Sequence, residues 1–291
     1  MHSNPLPGRL PVAVLLVMMI GLLPGRLEGQ AVNHLYDKFQ FGASAAAVVL
    51  SSDIRIDNSD GTEGTEINLA DVGISKSTFS GTVVASWRPG RRHELELGYL
   101  YVSRGGDRTL TEDIDFQDTT FTVGAQIKSK FSAPTLALAY RFAFLAKENT
   151  QVGFQVGVGA LFFGIDIDAL GTGTGGGSDT MAVQYSASKS LTGPTATLGL
   201  FGNFRAGDHW YFGVDAGALG ATISGITATI WSGGGQARYF IDNHWAFAGG
   251  WTINGFKISS EPGDDGSFID LGGSIKYTFQ VFRLGVIYAL H

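Results

Sequence analysis

The chain has 291 residues, of which 42 are glycine and none is cysteine, and its formal net charge at pH 7 is −6. The lack of cysteine excludes disulfides, a thiolate nucleophile and a cysteine-based zinc site, and the acidic balance argues against a nucleic-acid partner. Charged residues make up only 16% of the chain, while 20 Phe, 9 Tyr and 5 Trp argue against disorder. Such a composition is typical of a large all-β protein.

Residues 1–31 have the pattern of a secretory signal peptide. Arg9 precedes an apolar run at 11–23, and Gly29 and Ala31 are small residues at the −3 and −1 positions of a cleavage site. This run is shorter than the roughly 20 residues of a membrane-spanning helix, so a retained anchor is the less favoured interpretation. We therefore expect residues 32–291 to form one domain, and no segment of it is apolar for long enough to span a membrane as a helix.

From Phe39 onward, bulky residues alternate with small or polar ones. A period of two is typical of a β-strand whose two faces meet different surroundings, and the clearest example is 152–162. Ten such segments are predicted, near residues 38–56, 77–88, 93–104, 121–145, 150–168, 182–205, 209–224, 226–240, 244–260 and 267–290. Short turns alternate with longer polar loops between them. This pattern predicts an all-β fold, a transmembrane antiparallel up-and-down β-barrel of about ten strands within a range of about eight to twelve.

Aromatic residues beside the short turns distinguish two kinds of barrel. A soluble lipocalin-like barrel also alternates, but its apolar face points inward. Here amphipathic rings gather at one level, as expected for a girdle at a membrane interface; the girdle residues are Trp87, Trp210, Tyr239, Trp245 and Tyr288. The membrane barrel is favoured, and we expect it in the outer membrane with both termini periplasmic.

The segments 91–99 and 242–247, with the signal peptide and the girdle, resemble small outer-membrane β-barrel proteins of Gram-negative bacteria, a porin-like or OmpA-like class. The resemblance covers the mature chain. It implies a monomer whose partners are outer-membrane lipid, lipopolysaccharide and the barrel-insertion machinery, with no cofactor and no nucleic acid. Such barrels usually finish on an aromatic residue that the insertion machinery recognises, whereas His291 stands last here.

If the bulky face meets lipid, the other face places a set of charged residues in the lumen near the turns: Arg88, Glu94, Glu96, Arg141, Arg205, Asp215, Arg238 and Arg283. Charges inside a narrow barrel are costly unless they pair, so Arg141 is expected to pair with Glu94 or Glu96. We interpret the set as a structural network; a charged constriction that selects solutes is the alternative. Ten strands enclose only slightly more space than the eight that side chains can fill, which argues against a wide open pore.

Bulky residues change phase around Leu50, and again between Phe279 and Phe282. The simplest explanation is a β-bulge in the first strand and another in the last strand. These two strands must pair to close the barrel, so the prediction bears directly on closure.

No catalytic, cofactor or metal site is predicted. The histidines of the mature chain all map to the termini or the short turns: His34, His93, His209, His244 and His291. An enzymatic barrel would place a general base near its outer loops. The carboxylates of 112–118 are interpreted as solvated. His93, His209 and His244, which lie beside short turns, are interpreted as membrane-interface residues that are too far apart to share a metal. We expect a non-enzymatic protein with a structural or surface-interaction role; a narrow channel for small solutes is the alternative.

Overall fold

A computed structural model describes most of the chain from residue 32 onward. The described residues are 32–56, 67–68, 76–109, 114–116, 119–121, 124, 126–174, 181–223, 226–260 and 273–291. The predicted signal peptide at 1–31 and the acidic residues Glu112, Asp113 and Asp118 therefore lie outside the described part of the chain.

Ten antiparallel strands form one closed barrel. They are β1 (Phe39–Ile56), β2 (Ser77–Gly90), β3 (His93–Tyr101, continued by Ser103–Thr109), β4 (Gln126–Ser132, continued by Thr135–Lys147), β5 (Thr150–Thr174), β6 (Met181–Ala206), β7 (Trp210–Ile223), β8 (Ile226–Phe240), β9 (Trp245–Ser260) and β10 (Gly273–Leu290). Three shorter strands, Ile67–Asn68, Ile114–Phe116 and Thr119–Phe121, lie outside this ring, and a 3₁₀ helix, His34–Tyr36, precedes it. The predicted fold class and strand number are confirmed.

Each strand pairs with its neighbours in the chain, and β10 pairs with β1 to close the sheet. The end of the barrel that carries the connections β2–β3, β4–β5, β6–β7 and β8–β9 is called the turn end below, and the opposite end is the loop end. Among the described residues, no helix is both long and apolar enough to cross a membrane.

The bulges predicted in the first and last strands are wrong. Pairing of β1 with β10 runs from Phe39 and Leu290 to Ile56 and Gly273 without any shift in register. Shifts occur elsewhere, between Val152 and Gly153 on β5 and between Trp87 and Gly90 on β2.

The apparent change of phase on β10 has a different cause. Tyr277, Phe279 and Val281 are buried in the lumen, whereas Phe282 and Leu284 are exposed on the outer surface. The strand is regular, but its bulky residues move from one face to the other because the loop-end part of the lumen is filled with apolar side chains. A bulky residue therefore does not always mark the outer face.

The outer surface is apolar on all ten strands, with large side chains such as Phe41, Phe154 and Phe247 exposed. At the turn end the girdle residues lie on this surface. Ring centroids of Trp210 and Tyr239 are 5.0 Å apart, and those of Trp245 and Tyr288 are 4.9 Å apart. Trp87 is exposed beside them as the cross-strand partner of Phe39 at the start of β1.

A second aromatic level lies nearer the loop end. Trp231 is exposed on β8, eight residues before Tyr239, which corresponds to about 26 Å along a strand at ~3.3 Å per residue. Trp231 pairs with Gly255 of β9. Two residues farther along β9, Lys257 pairs with Lys276 of β10, and both lysines are exposed. The apolar band of the outer surface is thus bounded by aromatic rings at both ends, and charged residues follow the rings at the loop end.

Candidate functional site

The residues before β1 fold into the mouth of the barrel at the turn end, where residues 33–37 form what we call the N-terminal plug. Asn33 caps its short helix, since the side-chain oxygen accepts a hydrogen bond from Leu35 N at 3.2 Å. Leu35 is buried against Tyr211 and Phe240 in a cluster of apolar side chains from β7, β8, β9 and β10. This burial anchors a segment that is too short to hold a fold of its own.

The plug spans the mouth from one side to the other. On one side, the His34 ring stacks on Phe240 of β8 with a centroid separation of 3.5 Å. On the other side, Tyr36 Oη donates to Lys147 O over 2.5 Å, and the Arg91 guanidinium lies 4.4 Å above the Tyr36 ring. Arg91 follows β2, and β8 lies across the ten-strand barrel from β3. The short segment therefore covers the opening rather than lining one wall.

Asp37 closes the plug with a buried carboxylate. Its Oδ2 is 3.0 Å from His34 Nδ1, and its Oδ1 is 2.7 Å from His291 Nδ1. Gln40 Nε2 also donates to Asp37 Oδ2 over 2.9 Å. Burial lowers the pKa of the His34 imidazole, while the Asp37 carboxylate acts in the opposite direction. The carboxylate thereby joins the plug to the residue that follows β10.

Arg141 lies at the centre of an ion-pair network above the plug. Its Nη1 is 2.8 Å from Glu96 Oε2 and its Nη2 donates to Glu96 Oε1 over 3.3 Å, so two nitrogens bind one carboxylate. The same Nη1 is 3.6 Å from Glu94 Oε1, and Nε donates to Gln155 Oε1 over 3.1 Å. The register accounts for this arrangement, because Glu94 and Gln155 are the direct partners of Arg141 on β3 and β5.

Further arginines extend the network around the lumen. Arg88 binds Glu94, and both side chains are largely buried. Arg238 Nη1 donates to Gln40 Oε1 over 2.9 Å and so connects the network to the plug. The Nε of Arg238 is buried without a hydrogen-bond partner among the described residues.

Seven of the eight lumen charges named from the sequence surround one cavity, which includes Asp215 and Arg283 in its lining. Gly250 leaves space for Arg283, because a Cβ at that position would lie 2.9 Å from its Nε. Arg205 is separate. Its Nη2 is 2.8 Å from Asp208 within the β6–β7 turn, so it belongs to the rim and not to the network.

The cavity has a volume of about 340 Å³, at the lower end of the ~300–1,000 Å³ range of small-molecule pockets. Its walls combine the arginines and carboxylates with amides such as Gln155, Asn203 and Gln236. Toward the loop end, Phe279 and Val281 form part of the lining. The cavity therefore lies between the plug and a region of different chemistry.

That region is an apolar layer of side chains that project into the lumen. Its members are nearly completely buried side chains from the four strands β1, β3, β4 and β10: Val48, Leu50, Val102, Ile127, Phe131, Tyr277, Phe279 and Val281. The rings of Phe131 on β4 and Tyr277 on β10 have centroids 5.9 Å apart. Since four strand-to-strand steps separate β4 from β10 around the wall, this contact crosses the interior. Arg104 is buried beside it, with its guanidinium 5.0 Å from the centre of the Phe131 ring.

Neither the plug nor the apolar layer follows from the sequence analysis, although one signal for the layer was present. Tyr277, Phe279 and Val281 have the same parity as Arg283, so a strand without a bulge puts all of them on the lumen side. The plug carries no comparable signal, because residues 33–37 have no period and their contacts come from distant parts of the chain.

Comparison with known proteins identifies the fold. No protein-family model matches the sequence, and no curated protein matches it. Among solved structures, the chain is similar to the outer membrane protease OmpT from Escherichia coli, with a TM-score of 0.59 and 12% sequence identity over 88% of this chain and 97% of that chain. The chain thus shares the architecture of outer-membrane β-barrel proteins.

Two other solved structures align over similar lengths with lower scores. The outer membrane protein OprG from Pseudomonas aeruginosa has a TM-score of 0.33 and 13% identity, over 88% of this chain and 96% of that one. Ail, the attachment invasion locus protein of Yersinia pestis, has a TM-score of 0.30 and 8% identity, over 87% of this chain and 99% of that one. At these identities the likeness concerns the fold alone.

Proposed function

We propose that this chain is a non-enzymatic outer-membrane β-barrel with a closed lumen and a structural or surface-interaction role. The observation that carries the proposal is the contact of Phe131 with Tyr277 across the interior. Together with the N-terminal plug, it gives the lumen two separate closures, one on each side of the charged cavity. A barrel that is filled in this way presents its outer surface and its loops, rather than a pore, to its surroundings.

The outer surface supports a position in a membrane. Two aromatic levels bound an apolar band, as expected where rings lie at the two interfaces of a bilayer. Outer-membrane lipid and lipopolysaccharide are the partners that such a band fits, and the barrel-insertion machinery is the partner that would assemble it. We further propose a monomer with both termini at the periplasmic side, since the plug and His291 lie at the turn end and periplasmic turns are short in this class of barrel.

Cell fractionation tests the location. We expect the protein in the outer-membrane fraction, with a gel mobility that changes on heating because a folded barrel resists detergent. Recovery as a soluble periplasmic protein would contradict the proposal. An epitope tag placed after His291 should be inaccessible to antibody on intact cells and become accessible after the outer membrane is permeabilised.

A narrow channel for small solutes is the second candidate, and the polar cavity of about 340 Å³ favours it. Planar-bilayer recording separates the two functions. With both closures in place, the unmodified protein should give no single-channel steps. Deletion of 33–37 alone should not produce single-channel steps, and neither should the double substitution Phe131→Ala and Tyr277→Ala alone. The variant that combines the deletion with both substitutions should conduct. Steps from the unmodified protein would favour the channel.

Enzymatic activity has its own test, because the similar structure OmpT is named a protease. We expect the purified, refolded barrel to leave a diverse mixture of peptides intact over many hours, as measured by mass spectrometry. Sequence-selective cleavage that disappears on heat denaturation of the barrel would refute the non-enzymatic role.

A further inference from the structure

Three potential metal ligands meet at the junction of the plug with β10. Of the residues that the structure describes, His34, Asp37 and His291 place one ligand atom each within 4.8 Å of the other two. His34 and Asp37 are buried, and the Asp37 side chain is fully enclosed. Gln40 connects the cluster to the ion-pair network around Arg141, because it donates to Asp37 and accepts from Arg238, but the three residues themselves are not members of that network.

The hydrogen bonds of His291 determine which of its ring nitrogens faces the cluster. Nε2 lies 2.6 Å from Asn243 O, and a carbonyl oxygen only accepts, so Nε2 carries a hydrogen. In the neutral ring Nδ1 then has a lone pair, yet Nδ1 is 2.7 Å from Asp37 Oδ1. A lone pair and a carboxylate oxygen at this distance repel each other unless a positive charge lies between them. The contact is explained by a proton, on the ring or on the Asp37 carboxyl group, or by a metal ion.

The surroundings fit a metal ion. A metal-bound histidine commonly donates its other ring N–H to a backbone carbonyl, as His291 does to Asn243. Gln40 Nε2 donates to Asp37 Oδ2 and orients the carboxylate. Carboxylates that bind metal ions are commonly held by such a hydrogen bond. Two imidazole nitrogens with one carboxylate oxygen form a donor set that suits Zn²⁺ among the divalent transition metals.

The distances are also close to those required. Tetrahedral Zn²⁺ with bonds of about 2.0–2.1 Å separates its ligand atoms by roughly 3.3 Å. The His34 and His291 nitrogens lie 3.0 and 2.7 Å from different oxygens of the Asp37 carboxylate, and one ligand atom from each of the three residues lies within 4.8 Å of the other two. Small rotations of the two rings would therefore admit the ion, with water in the fourth position.

We propose that His34, Asp37 and His291 form a Zn²⁺ site that fastens the N-terminal plug to the end of β10. The ion supplies the positive charge that the Asp37 carboxylate and the His291 lone pair require. It links residues that are 254 positions apart in sequence, next to the strand pair that closes the barrel. The sequence analysis predicts no metal site, but the histidines that it weighed as metal ligands are His93, His209 and His244, and none of them belongs to this cluster.

Isothermal titration of ZnCl₂ into the refolded, tag-free barrel in detergent at pH 7.5 tests the proposal. We expect one ion per chain, and at least about ten-fold weaker binding for Asp37→Asn and for His291→Gln, since even supporting residues of metal sites typically contribute ~10–100-fold. His93→Gln is the matched control, because His93 lies at another turn and hydrogen-bonds Tyr140; its binding should be unchanged. Heat-modifiable mobility establishes that each variant is folded.

A second readout uses Co²⁺ in place of Zn²⁺. Bound Co²⁺ should give visible absorption bands that are lost in Asp37→Asn and on addition of excess Zn²⁺. The apparent unfolding temperature of the unmodified barrel should rise with Zn²⁺ and return to its starting value with EDTA, as mass action requires for a ligand of the native state. Absence of stoichiometric binding, or equal binding by Asp37→Asn, would overturn the proposal and assign the charge to a proton.

Discussion

Replacement of Arg141 by alanine tests whether the lumen network stabilises the barrel. The change removes the two-nitrogen contact with Glu96 and the hydrogen bond to Gln155. Breaking a buried pair typically costs about 3–5 kcal/mol, because one charge is left without a partner. Glu96 is partly exposed to the cavity, so water replaces part of the interaction, and we expect a loss of about 2–3 kcal/mol in the free energy of unfolding.

A double-mutant cycle assigns that loss to a particular carboxylate. Urea unfolding in detergent, followed by tryptophan fluorescence, gives the free energies for Arg141→Ala, Glu96→Gln, Glu94→Gln and the two double variants. Arg141 lies 2.8 Å from Glu96 but 3.6 Å from Glu94, which also keeps its contact with Arg88. We therefore expect a coupling energy of about 1–3 kcal/mol with Glu96 and a smaller one with Glu94.

Arg205→Ala is the control for the loss of an arginine as such. Arg205 pairs with Asp208, whose side chain is 69% exposed although that of Arg205 is only 11% exposed, and a pair with an exposed partner contributes only about 0–1 kcal/mol. Its substitution also removes the hydrogen bond to Gly207 O, and it should lower the free energy of unfolding clearly less than Arg141→Ala. If Arg141→Ala destabilised the barrel no more than Arg205→Ala, or if neither carboxylate coupled to Arg141, the ion-pair network would have no role in stability.

Two further predictions concern the apolar layer and the outer surface. Phe131→Ala should lower the free energy of unfolding by about 3–5 kcal/mol, because the ring is fully buried; Phe154→Ala, on the outer surface, should cost clearly less, and equal losses would contradict the layer. In single-tryptophan variants, Trp231 and Trp245 should both be quenched more by lipids brominated near the headgroup than by lipids brominated at mid-chain. Stronger mid-chain quenching of either residue would remove it from the interface.

The barrel architecture could be predicted from the sequence because the patterns that indicate it are local. Alternation over a strand and a short turn such as 89–92 involve neighbours in the chain, and the wall of a barrel is built from such neighbours. The pairing of Arg141 with Glu94 follows from the same rule, since β3 and β4 are consecutive strands in the ring.

The contents of the lumen depend on residues that are neighbours only after closure. Phe131 meets Tyr277 although 146 positions separate them, and nothing in either segment encodes the other. The prediction of bulges in β1 and β10 was wrong for the same reason, because it assigned every bulky residue to the outer face. A strand that runs from the apolar part of the lumen into the charged part changes the face on which its bulky residues lie, while its register stays the same.

The two closures of the lumen differ in how readily they could open. The plug is held by polar contacts such as that of Tyr36 with Lys147 O and by the burial of Leu35, but it is a short segment that could move away while every strand stays paired. The apolar layer has no such freedom, because Phe131 and Tyr277 belong to the strands of the wall itself. Opening there requires several buried rings to change rotamer together within a closed sheet, at a cost in buried apolar surface. If the lumen is closed as proposed, loss of the plug alone would expose the charged cavity to the turn end and leave the apolar layer in place, so conduction requires that both closures open.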